Sequence, residues 1–214
     1  MTRPSDHTRQ RILKAAIELF ADKGFDGASV RAIVAKARVN QAAINYHFDG
    51  KEGLYLEVIQ TAFAAFARLE GLDGEPLRSL PRDEALRRFV YQQLRPLLFR
   101  DEISRFMRIF AWENVRPSKV LRTYLANNAA PFLDRAVDLV RRFLPATATD
   151  HEALCGAIWL MGQCSVFVRN REQFTQSPFN LRIDEPFVEQ LTDLITGLAR
   201  GGLAQHAPAG SAHS

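Results

Sequence analysis

An all-α fold is predicted for this 214-residue chain. Apolar residues recur at three- and four-residue spacing through most of its length, no segment alternates as a half-buried strand would, and glycines and prolines fall between the periodic stretches. The first helix is expected over 8–23, with Ile12, Ala16, Leu19 and Phe20 inward and Gly24 ending it, because glycine accepts positive φ without steric cost. The second opens at Ser29 and buries Val30, Ile33, Val34 and Ala37; Val39 fills a corner, and Ile44 and Phe48 mark a third helix. Ser29 and Asn40 are placed to cap these helices through their side-chain oxygens. A fourth helix over 51–70 carries Leu54, Val58, Ala62, Phe66 and Leu69, and the Gly- and Pro-rich stretch 71–82 reads as a loop. Helices follow at 83–100 (kinked or shortened by Pro96), 102–115, 118–128 with Ser118 as cap, and from Pro131 to before Pro145. The last two are expected at 150–172 and 185–201, the final one closed by Gly201-Gly202. The tail 204–214 is small, polar and aperiodic, the composition of a disordered segment.

The stretch Ser29–Lys51 carries the most chemistry. With Ile44 and Phe48 turned inward, Gln41, Ala42, Asn45, Tyr46 and His47 occupy the outward side of the third helix. Two short helices joined by a tight turn make a helix-turn-helix, whose second helix enters the major groove of DNA. By spacing alone, an ordinary αα-corner with a solvated face fits equally well.

Several further residues fall at fixed spacing. Thr8 precedes an amphipathic helix, Gly24-Phe25 closes it, Ser29-Val30-Arg31 opens the next, and Tyr46-His47-Phe48 is followed by Lys51-Glu52. On these residues the first quarter of the chain closely resembles the DNA-binding domain of TetR/AcrR-type bacterial regulators. One position departs from the pattern: Arg38 stands where the family usually has glycine at the turn. Either the turn avoids a left-handed conformation here, or Arg38 is kept as a phosphate contact.

Residue chemistry assigns the roles, and the resemblance implies the same ones. Gln41 and Asn45 can each pair bidentately with adenine, while Ala42 and Ala43 allow close approach and contact with thymine methyls. Arg31 reaches a guanine or a phosphate; Tyr46, His47 and Lys51 hold phosphates and fix register. Ser29 and Asn40 complete the expected DNA-binding set as caps at the helix starts. Arg3, Arg9 and Arg11 fit either a groove-tracking arm or plain surface charge.

Composition narrows the function classes. A net charge of +4 and a pI near 9.3 suit an anionic partner. There is no run of about 18 apolar residues to span a membrane, and MTRPSDHTRQR has no apolar signal core, so a cytoplasmic, nucleoid-associated location is expected. Cys155 and Cys164, nine apart on one helix, lie on opposite faces and read as reduced thiols. The five histidines (7, 47, 151, 206 and 213) have no metal-ligand spacing, and there is no Gly-rich phosphate loop, G-x-S-x-G or CxxC. No enzyme, metal or cofactor is expected.

The expected organisation is a DNA-binding domain over 1–52, a helical ligand-binding and dimerisation domain over 53–203, and the tail. The resemblance implies a small-molecule effector in the larger domain and a homodimer through its last two helices. LCGAIWLMGQCSVFVRNREQF is similar to the C-terminal domains of the CerR-type subgroup. Its small residues permit close helix approach, with Leu154, Ile158, Met161 and Ser165 on one stripe and Trp159, Gln163, Val166 and Asn170 on another. The last helix offers Phe187, Leu191, Leu194, Ile195 and Leu198 as a second apolar surface. Among the fifteen phenylalanines, Phe66, Phe106 and Phe110, with Glu113 on the same face as the last two, are the candidate ligand residues. The reading is a sequence-specific transcriptional regulator, a repressor released from its operator by a small molecule. An architectural or division-control DNA-binding protein without an effector is the alternative.

Overall fold

The computed structural model describes residues 4–72, 77–99, 101–128 and 131–204, and every regular element among them is helical. The helices are α1 (Pro4–Gly27), α2 (Val30–Ala37), α3 (Ala42–Phe48), α4 (Gly50–Leu72), α5 (Arg82–Leu94), α6 (Glu102–Glu113), α7 (Lys119–Asn127), α8 (Pro131–Arg141), α9 (Asp150–Arg169), α10 (Arg171–Phe174) and α11 (Glu185–Ala204). Pro96 shortens the fifth helix as its ring geometry requires, leaving a 3-10 turn over Arg95–Leu97. The expected tail falls outside the described residues from 205 onward.

The chain forms two compact units, Met1–Arg68 with Arg100–Ala130, and Leu69–Phe99 with Pro131–Ser214. In the first, α1 packs along α6 and against α2, burying Ile12, Ala16, Phe20, Ile33, Ile44, Leu54, Phe106 and Ile109 completely. Gly24 breaks α1 with φ +67°, and a Cβ there would lie 3.2 Å from the Trp112 ring of α6. The indole Nε1 donates to the Ala21 carbonyl at 3.3 Å, so the glycine serves both the backbone turn and the packing of α6.

In the second unit α9 starts with a capping box: the Thr149 hydroxyl accepts from the Glu152 N–H at 3.2 Å, and the Glu152 carboxylate accepts from the Thr149 N–H at 2.7 Å. Its buried stripe is Ala153, Ala157, Leu160, Cys164 and Val168, which differs from both stripes expected from sequence. Small residues face inward because α8 runs close by; a Cβ on Gly156 would meet the Val140 side chain at 2.8 Å. Ile158 and Trp159 are left exposed. In α11, Val188, Leu191, Ile195, Ala199 and Leu203 are buried, whereas Leu194 and Leu198 are 58% and 64% exposed. Leu191 therefore belongs to the subunit's own core and not to an outward surface. Gly201 and Gly202 do not close α11; Ala199 and Leu203 are buried on either side of them, and that packing outweighs a glycine penalty of about 1 kcal/mol each. Both cysteines are free, Cys155 exposed and Cys164 buried.

Candidate nucleic-acid interface

The turn between α2 and α3 sets the outward helix. Ser29 caps α2, its hydroxyl accepting from the Ala32 N–H at 3.1 Å. At the other end Arg38 takes a left-handed conformation (φ 53°, ψ 50°), which costs a non-glycine residue about 1–2 kcal/mol. The Arg38 N–H donates to the Ala35 carbonyl and the Val39 N–H to the Val34 carbonyl at 3.1 Å, the paired closure of a Schellman motif. Arg11 reaches across from α1 and donates to the Ala37 and Arg38 carbonyls at 2.5 and 2.8 Å. The Asn40 side chain then caps α3, accepting from the Ala43 N–H at 3.2 Å.

With Ile44 and Phe48 buried, α3 turns Gln41, Ala42, Asn45 and Tyr46 to solvent; Ala43 and His47 are half-buried, and Ser29, Arg31 and Asn40 are exposed beside them. Tyr46 is 82% exposed, with its ring edge-on to His47 at 4.9 Å. A ring so exposed buries little apolar surface. Lys51, in the first turn of α4, holds its ammonium 4.4 Å from the Phe25 ring centroid, and burial lowers its pKa from the ordinary lysine value. The structure therefore puts all ten sequence-predicted residues on or beside two short helices and the start of a third.

Arg9 and Arg11 do not form a free arm. Arg9 pairs with Glu57 and lies 5.3 Å over the Phe48 ring, and Arg11 is the α2 cap. Arg3 lies outside the described residues. Gly53 was not singled out from sequence. A Cβ there would fall 1.8 Å from the Phe48 carbonyl oxygen, so α4 can start against the end of α3 only with glycine at this position. The signal was present as a glycine inside a helical pattern, which marks close backbone approach.

The four expected ligand residues are dispersed in role. Phe106 and Phe110 are buried in the first unit, where Phe110 meets Phe63 edge-on at 5.4 Å and Phe63 meets Tyr124 at 4.9 Å. The side chain of Phe66 falls outside the described residues. Glu113 is buried, and both its oxygens are engaged: Oε1 accepts from the Tyr55 hydroxyl at 2.6 Å and Oε2 from the Ser118 N–H at 2.6 Å. Burial first, then the adjacent Glu113 charge, push the Tyr55 phenol far above its ordinary pKa. Phe89 and Phe99 belong to the other unit.

Residues 12–58 match the model for the N-terminal domain of bacterial regulatory proteins of the tetR family. Residues 82–205, more than half of the chain, match the C-terminal domain of the HTH-type transcriptional dual regulator CecR. The chain belongs to the TetR family. Among similar proteins, the transcriptional repressor NicS of Pseudomonas putida is 38% identical over 66 residues, 31% of each chain. The probable regulator YttP of Bacillus subtilis is 29% identical over 119 residues, 55% of this chain and 58% of that one. The chain thus spans from about a third to somewhat over half of these relatives' length. The TetR-family fold extends further: AibR, solved with isovaleryl coenzyme A and operator DNA, superposes with a TM-score of 0.62 at 18% identity, covering 89% of this chain and 97% of AibR. No helix among the described residues is long and apolar enough to cross a membrane.

Proposed function

We propose that the chain is a homodimeric, sequence-specific DNA-binding regulator that represses transcription until a small molecule releases it. The observation that carries this reading is the outward face of α3, where two amides and the Tyr46 ring stand exposed on a helix clamped by its neighbours. Gln41 and Asn45 read adenine edges, and Arg31, Tyr46, His47 and Lys51 hold phosphates. Residues 1–52 form the reading head, and 53–203 carry effector binding and dimerisation. Exposed Ile158, Trp159, Leu194 and Leu198 are the apolar groups available to a second copy. NicS by its name is a repressor, and AibR was captured with both a ligand and DNA. That pairing supports an organic effector here.

For the effector end, Phe106 and Phe110 supply apolar surface and Glu113 the polar group. A ligand can take Glu113 only by exchanging its bond to Tyr55 or Ser118. Ligand occupancy and the seating of α4 are then coupled, and the effector's influence equals its differential affinity for the two states. Catalysis has no place in this reading; regulation by mass action does, in the cytoplasm where the DNA lies.

The test is to sequence genomic fragments retained by the purified protein, then titrate Gln41→Ala and Asn45→Ala against them. Each half-site should contain an A·T pair whose replacement costs wild type about 1–3 kcal/mol and costs one of the variants much less. Retention of many dispersed sites with no shared sequence would replace this reading by the architectural one, and an unchanged penalty in both variants would remove base reading from α3.

A further inference from the structure

Three residues other than glycine have positive φ among the described residues: Arg38, Asp49 and Asn180. Aspartate and asparagine visit this region because their short polar side chains bond locally. Arginine has no such device, and glycine at position 38 would make the same turn without strain. The turn itself does not need the Arg38 side chain. Its backbone closure uses the Arg38 and Val39 N–H groups, and the positive charge that complements the α2 carbonyls already comes from Arg11, donating to Ala37 and Arg38. The Arg38 side chain is exposed, and among the described residues no carboxylate pairs with it. Lys36, the nearest cation on α2, is instead tied to Glu18 at 2.9 Å. A strained backbone therefore carries a guanidinium that adds to the charge of Arg11 at one turn, directly before the helix that carries Gln41 and Asn45. Like charges gathered at a strained position point to a bound anion as the compensating group.

We infer that Arg38 is a positioning residue that grips a DNA backbone phosphate and thereby fixes how α3 enters the groove. This rests on the DNA-binding reading above. The contact is to a phosphate and not to a base, so it contributes affinity equally on every sequence.

The test uses the full chain, a random-sequence duplex and a fragment retained from genomic DNA, titrated over a series of salt concentrations, together with thermal melting. Arg38→Gly should melt no lower than wild type, because the strain is relieved. It should nevertheless bind both duplexes on the order of five-fold more weakly at about 0.15 M salt, with the slope of log affinity against log salt smaller by about 0.9. Arg38→Lys should recover most of that slope. An unchanged slope in Arg38→Gly overturns the inference while leaving the regulator reading intact. So does a loss confined to the genomic fragment, or a loss of slope that Arg38→Lys does not recover. If wild type shows no salt-dependent DNA binding at all, the regulator reading fails first and the inference with it.

Discussion

Replacing Gly53 by alanine adds one methyl group to a helix and is expected to damage both stability and DNA recognition. In most exposed helix interiors this change is favourable by about 1 kcal/mol, because alanine has the better helix propensity. At Gly53 the new Cβ would sit 1.8 Å from the Phe48 carbonyl oxygen and 3.0 Å from its carbon, where real contacts are essentially never closer than 3.0 Å. The end of α3 and the first turn of α4 must then separate by about 1.2 Å to restore that limit. The obstacle is backbone, so no side-chain rotation relieves it. Overpacking of this kind costs about 1–3 kcal/mol; taking the upper end and subtracting the propensity gain leaves about 2 kcal/mol, a fall of about 4–8 °C in melting temperature for a chain of this size. The same displacement carries Asn45 and Gln41 out of hydrogen-bond reach of base edges, so affinity for the retained genomic fragment should fall more than affinity for random DNA. Gly201→Ala is the control, since nothing lies within 4 Å of its Cβ position, and it should melt at or above wild type. Thermal melting followed by circular dichroism, with anisotropy titrations of both duplexes, gives the comparison. If Gly53→Ala behaves like Gly201→Ala in both measurements, the close approach of α3 and α4 is not a constraint and the argument fails.

Three further outcomes follow from packing and charge. Glu18 accepts from Lys36 across α1 and α2, and that hydrogen bond holds its pKa below the ordinary carboxylate value despite some burial. A lowered folded-state pKa stabilises the fold above the ordinary carboxylate range and ceases to do so as pH falls through the lowered value. Glu18→Gln should therefore be less stable than wild type near neutrality, by under about 1 kcal/mol for a partly exposed pair. The gap should close as pH falls below the ordinary carboxylate range; denaturant titrations in which it widens on acidification would contradict the assignment. Leu194→Asp combined with Leu198→Asp should leave the subunit folded and yield monomers in sedimentation velocity, with tight binding to the genomic fragment lost. Leu191→Ala should instead lower subunit stability by about 2–5 kcal/mol, as a core truncation does. A doubly substituted chain that sediments as a dimer would place the interface elsewhere.

The sequence by itself determined the all-α class, the position of nearly every helix, the helix-turn-helix and the family. These depend on periodicity, caps and breakers, which are local: Ser29, Asn40 and Ser118 cap in the structure by the same short-range hydrogen bonds that made them legible in the chain. The outward set on α3 was legible for the same reason, since burial of Ile44 and Phe48 fixes which way a short helix faces. What only the tertiary structure decided are contacts between residues far apart in sequence. Arg11 fitted either a groove-tracking arm or surface charge until α2 was found to end against it, Glu113 showed no partner in the chain until Tyr55 and Ser118 were found on its two oxygens, and Leu191 looked equivalent to Leu194 until α5 and α9 covered one side of α11. A helical pattern shows that a face is apolar but not which neighbour covers it. Likewise Gly53 shows freedom to approach, while the Phe48 carbonyl that makes the glycine necessary becomes visible only where the two helices meet.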